Sequence, residues 1–268
     1  MCRWFAYISD KEACLLEDVL IRPTHSIVKQ VEDHYLPKLF HHVDKESDKE
    51  QRLDIRARNL YFNGHPFAFG RHIFMHNGGI AEFERIRRDI CSKLSPKAYQ
   101  NIHGTTDTEH LAALYFTHLG DDWDAQYSLE DMKKALELAI VDVLLLQSQL
   151  PDATTPLAPS SLNICTTDGH QLLAFRYRNS EDEQPPSLYL STTAGVTLNR
   201  KFPGHPDFKK QEEVPEVHAA GLKGTNTLQR DVHGDHVIIA SEPTTRDEDE
   251  WELIGKNKVF DTLSLSYA

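Results

Sequence analysis

The chain has 268 residues, a formal net charge of −12 and 40% hydrophobic residues, enough for one large domain with a sizeable core. The acidic balance excludes nucleic acid and anionic membrane as main partners, because both attract basic surfaces. Cys2, Cys14, Cys91 and Cys165 are scattered without a Cys-x-x-Cys pair, so their spacing suggests no zinc site. The opening Met-Cys-Arg-Trp-Phe-Ala-Tyr lacks the basic and apolar regions of a secretion signal, and no run approaches about 20 apolar residues. A soluble, cytoplasmic, thiol-reduced protein is expected.

Trp4 to Ile8 is aromatic and β-branched and reads as a buried strand. Ile27, Val28, Val31 and Tyr35 predict a short helix over 26–36, closed by Pro37. Asp44 to Arg58 is dominated by Asp, Glu, Lys and Arg and reads as a solvated loop. Pro66 to Met75 suggests two strands around Gly70, and the following Asn77-Gly78-Gly79 is a turn signal. Phe83, Ile86, Ile90 and Leu94 mark one face of a helix over 81–94. Thr106-Asp107-Thr108-Glu109 fits a capping box for a helix ending at Leu119, and Ser128 caps a longer helix reaching Gln149.

The Pro-rich stretch 151–159 ends the helical region. Leu162–Thr166 and Leu172–Tyr177 flank Thr167-Asp168-Gly169-His170 as a hairpin, and strands are expected at 188–192, 237–240 and 251–254. Between them, 195–235 is loop-rich. Strands at both ends with helices between them predict α+β layers.

Removal of Met1 would place a free α-amine on the same residue as the Cys2 thiol. That amine titrates at about 7.7–8.0 in model compounds, which suits a general base for its own side chain. Asn77-Gly78 offers a side-chain amide beside a backbone N–H, the donors an oxyanion hole needs. Asp107 falls in the first turn of a helix, where the dipole favours a carboxylate.

Taken in order, Met1-Cys2-Arg3, Asn63-Gly64-His65-Pro66-Phe67, His76-Asn77-Gly78 and Thr106-Asp107-Thr108-Glu109 resemble the class II glutamine amidotransferases. The subfamily beginning Met-Cys-Arg, which includes the fungal glutathione-degrading amidotransferase subunit, is most similar. Thr192-Thr193-Ala194-Gly195, Ala240-Ser241-Glu242-Pro243 and Trp251-Glu252-Leu253-Ile254 add to the likeness.

The resemblance implies an N-terminal-nucleophile hydrolase, a four-layer αββα sandwich, as a single glutamine amidotransferase type 2 domain over 1–268. It implies that Cys2 forms a γ-glutamyl thioester while Asn77 and Gly78 hold the oxyanion. Asp107 would bind the substrate ammonium and Arg56 its carboxylate, with His76 among the substrate-binding residues. No cofactor or metal is called for. The implied substrate is a γ-glutamyl compound, glutathione or glutamine, and a protein partner subunit is expected.

The chain departs from the family around residues 43–60, where a charged run stands in place of a core strand. Arg56 is therefore assigned on Ile55-Arg56-Ala57 alone. Three readings stay open: glutathione hydrolysis with a partner, hydrolysis of glutamine or another γ-glutamyl compound, and a shortened paralogue that binds without turnover.

Overall fold

The computed structural model describes residues 3–9, 20, 21, 23, 26, 27, 65–150, 158–194, 236–245 and 248–262. Cys2, Arg56, Cys14, the charged run at 43–60 and the loop-rich stretch 195–235 lie outside the described residues. So does most of the helix expected over 26–36. In chain order the elements are β1 (Phe5–Ser9), β2 (Phe67–Phe69), β3 (His72–Gly79), α1 (Phe83–Lys93), α2 (Pro96–Gln100), α3 (Asp107–Leu119) and α4 (Leu129–Ser148). Then follow β4 (Ser161–Thr167), β5 (Leu172–Arg178), β6 (Tyr189–Ser191), β7 (His236–Ala240), β8 (Glu252–Leu253) and β9 (Lys258–Asp261). As expected, α and β elements combine, with two antiparallel sheets.

The described residues fall into two compact units. The larger holds the sheet β2-β3-β4-β5-β9 and, among the described residues, α1 to α4. Its core gathers Phe69, Phe74, Ile86, Leu114, Phe116, Met132 and Ile164, each 0–1% exposed. Burying one such side chain contributes about 1.5–3 kcal/mol. α1 presents Phe83, Ile86 and Ile90 to this core, the stripe its spacing predicted. α3 is buried continuously from Thr108 to Phe116, so it is the unit's central helix, covered on all sides. α4 starts at its expected cap, where Ser128 Oγ accepts from Asp131 N at 3.1 Å.

The β4–β5 hairpin forms around Gly169 at φ 90°, with Asp168 Oδ1 accepting from His170 N and Gln171 N. The smaller unit holds the sheet β1-β7-β6-β8 around Tyr189, Ile238 and Trp251.

Two local expectations are corrected. Asn77-Gly78-Gly79 is not a turn: β3 continues through all three, paired with Asn163, Leu162 and Ser161 of β4. Gly78 is needed for close approach, since a Cβ there would lie 1.8 Å from the Ser161 carbonyl oxygen. The capping box is only half formed. Thr106 Oγ1 accepts from Glu109 N, but the Glu109 carboxylate turns to the His103 and Gly104 N–H groups, each at 2.7 Å. The sequence reading did not anticipate α2, capped by Ser95 with Pro96 at its start, or the short strand β9.

Candidate functional site

The end of β3 and the start of α3 meet within the larger unit. Asp107 is the first residue of α3, and its carboxylate reaches back to the strand. Oδ2 accepts from Ile80 N at 2.9 Å, two residues beyond Gly78, and Oδ1 accepts from Thr108 N at 2.8 Å. An open pocket lies beside this contact, lined by Ile80, Glu82, Phe83, Thr106 and Asp107 among others. Among the described residues its carboxylates, Glu82, Glu84 and Asp107, outnumber its cation, Arg85. Glu82, just before α1, takes a left-handed backbone (φ 55°), a conformation that costs energy for a residue with a Cβ.

Asn77 is only 3% exposed, yet among the described residues its side-chain amide has no hydrogen-bond partner. Its cross-strand neighbour Asn163 spends its amide N–H groups on the carbonyls of Pro186 and Ser187. A buried amide usually finds partners, so an uncommitted one is a donor in waiting.

His76 behaves differently. Its Nδ1 lies 2.9 Å from Thr108 Oγ1 and its Nε2 lies 3.1 Å from the Ser161 carbonyl oxygen. The carbonyl only accepts, so Nε2 carries the proton and Nδ1 accepts from the hydroxyl. Burial lowers the pKa of this ring, against the opposing pull of Asp107 and the Ser161 carbonyl. The neutral imidazole thus cross-links β3, β4 and α3, which leaves neither ring nitrogen for a ligand.

Gln147 of α4 adds a brace by donating to Ala81 O at 2.6 Å and to Ser160 Oγ at 2.9 Å, while Ala81 N donates to the same hydroxyl. The segment after Gly79 is thereby held from two sides.

The sequence reading did not single out His65. Burial first, then the neighbouring His76, push its pKa down to about 4, with Asp107 acting in the opposite direction. Its Nε2 is buried without a hydrogen-bond partner among the described residues. The signal was present in Asn63-Gly64-His65-Pro66-Phe67, read only as a motif. His110, one turn into α3, is also held neutral, chiefly by burial. Arg87 Nε donates to its Nε2, and its Nδ1 donates to the Thr106 carbonyl.

The structure therefore brings Asn77, Gly78, His76 and Asp107 together, whereas Cys2 and Arg56 lie outside the described residues. Among the described residues, no cluster of His, Cys, Asp or Glu is arranged to hold a metal ion, and no helix is long and apolar enough to cross a membrane.

No family model matches the chain. It is 26% identical over 204 residues to the probable glutamine amidotransferase DUG3 of Saccharomyces cerevisiae, covering 74% of this chain and 51% of that protein. The chain thus spans about half the length of the curated relative it matches. Among solved structures, a glutamine aminotransferase class-II domain protein from Silicibacter pomeroyi aligns with a TM-score of 0.47 and 25% identity, covering 74% of this chain and 66% of the other. A predicted glutamine amidotransferase from Pseudomonas aeruginosa aligns with a TM-score of 0.39 and 18% identity, covering 75% and 62%. By whole-sequence comparison as well as by its motifs, the chain resembles the glutamine amidotransferases.

Proposed function

We propose that the chain hydrolyses a γ-glutamyl amide through a γ-glutamyl thioester on Cys2. The observation that carries this reading is the uncommitted, buried Asn77 amide, three residues before Ile80, whose N–H the Asp107 carboxylate holds. An oxyanion donor and a carboxylate suited to an ammonium are what a γ-glutamyl group requires at its two ends.

In this mechanism the Cys2 amine takes the thiol proton and sulfur attacks the γ-carbonyl carbon. The Asn77 amide and the Gly78 N–H stabilise the oxyanion. The proton passes to the leaving nitrogen, the C–N bond breaks, and water then hydrolyses the thioester and frees the thiol. Asp107 binds the α-ammonium and Arg56 the α-carboxylate. His76 holds the Asn77 strand from behind.

The reading includes the four-layer αββα arrangement, one domain over 1–268, a cytoplasmic location and no cofactor. The likeness to DUG3 and the C-terminal motifs favour glutathione, cleaved to glutamate and cysteinylglycine with a partner subunit. Hydrolysis of glutamine or another γ-glutamyl compound is the alternative by the same chemistry. The reading of a binding paralogue rests instead on the charged run at 43–60, which stands where the family it resembles has a core strand.

The test is incubation of purified protein with glutamine and with glutathione, alone and with a co-expressed partner, with Cys2→Ala as control. Glutamate release that disappears in Cys2→Ala, with unchanged thermal stability, supports the enzyme. A glutamine-like electrophile should label Cys2 ahead of Cys14, Cys91 and Cys165. No release under any condition, with equal labelling of the cysteines, leaves the binding paralogue as the better reading.

A further inference from the structure

Ala240-Ser241-Glu242-Pro243 has no part in the mechanism above, yet in the smaller unit it lies against the first described residues of the chain. β1 and β7 pair from Phe5↔Ala240 to Ser9↔His236. Beyond that ladder, Trp4 N donates to Ser241 Oγ at 3.1 Å, and Ser241 N donates to Trp4 O at 3.1 Å. One residue further out, Arg3 Nε donates to Glu242 Oε1 at 2.6 Å. The Glu242 side chain is 9% exposed and that of Arg3 29%, so this charge-assisted bond is largely shielded from water.

Terminal residues fray unless something ties them down. Here the ties extend to the residue covalently joined to Cys2. The peptide unit between Cys2 and Arg3 is planar. Between the backbone anchored at Trp4 and the thiol lie one planar peptide unit and the few torsions of Arg3 and Cys2. The amine and the thiol-bearing Cβ share the Cys2 Cα, so a restraint on Arg3 acts on both groups through the same peptide link.

We infer that Ser241 and Glu242 are positioning residues for the Cys2 nucleophile, with Glu242 acting through Arg3 and Ser241 through Trp4. This rests on the reading of Cys2 as nucleophile. A displacement of about 1 Å at a reacting centre can cost on the order of 10²-fold in rate. Loss of one clamp among several should cost about tenfold in kcat. KM should change less than about twofold, because neither Ser241 nor Glu242 is among the residues proposed to hold the substrate.

The experiment compares the full chain with Glu242→Gln, Arg3→Gln, the double variant and Ser241→Ala. It reads kcat and KM for the γ-glutamyl substrate the parent turns over, the iodoacetamide alkylation rates of Cys2 and Cys91 by peptide mapping, and Tm. Each single variant should lower kcat and Cys2 alkylation together while Cys91 alkylation stays constant. The double variant should be no slower than the worse single one, because both act through one ion pair. It removes both charges together, so it serves as the test where a single variant fails to fold.

Unchanged kcat in the folded variants overturns the inference alone, as does a loss confined to KM or one shared by Cys91. A parent that neither turns over substrate nor alkylates faster at Cys2 than at Cys91 overturns the functional reading and this inference with it.

Discussion

The junction of β3 with α3 in the larger unit and the pairing of β1 with β7 in the smaller one each hold a piece of backbone in place, by different means. At the first, Ile80, Ala81, His76 and Asp107 are tied by overlapping bonds from Thr108, Ser160, Ser161 and Gln147, drawn from both sheet and helices. At the second, Arg3 and Trp4 are held to two residues 237–239 positions away, through one hydroxyl, one backbone bond and one carboxylate. Redundant bonding makes the first region tolerant of losing a single polar contact and sensitive to anything that moves the strands apart. The second joins residues far apart in the chain, so removing its contacts one at a time shows how much of the placement each carries.

The largest expected effect tests the strand limit. Gly78→Ala puts a methyl 1.8 Å from the Ser161 carbonyl oxygen at a φ of 149°, and β3 must part from β4 to admit it. A loss of more than about 4 kcal/mol is expected, read by denaturant unfolding. Near-parental stability would show that the junction is looser than its contacts imply.

Asn77→Ala separates chemistry from scaffold. Its amide has no partner to lose among the described residues, so Tm should change little, while kcat should fall on the order of 10²–10³-fold with KM nearly constant. A fall in Tm matching the fall in rate would make Asn77 a structural residue.

Acid should weaken the junction first. His65 has a folded pKa of about 4 against an ordinary value of 6.5, so its neutral form is favoured in the native state. The unfolded chain binds more protons between those values. The contribution is fully present above pH 6.5 and is lost as pH falls from 6.5 towards 4, by on the order of 2 kcal/mol. His76 and His110 are shifted in the same direction. Urea midpoints measured across this range should fall less steeply in His65→Gln; an unchanged slope would place the titration elsewhere.

The smallest effect concerns redundancy itself. Thr106→Ala removes the hydroxyl that accepts from Glu109 N, but Glu109 still binds His103 and Gly104. A loss of about 1 kcal/mol is expected, with substrate KM nearly constant. A several-fold rise in KM would show that the cap also sets the Asp107 carboxylate.

The sequence by itself determined what depends on near neighbours. The stripe Phe83, Ile86 and Ile90, the caps at Thr106 and Ser128, and the turn at Gly169 follow from spacing and side-chain chemistry within a few residues. The order of the motifs, through the resemblance, also assigns Asn77, Gly78 and Asp107 to one proposed site. Tertiary structure decided the rest. Asn-Gly-Gly is a turn by local preference and became strand because β4 offered a ladder that only glycine could approach so closely. Glu109 left its capping partner because two loop N–H groups lay within reach. His76 changed from a candidate ligand to a cross-link once Thr108 and Ser161 claimed both of its nitrogens. The bond from Glu242 to Arg3 spans 239 positions, and no local pattern announces a contact that exists only when β7 is laid beside β1.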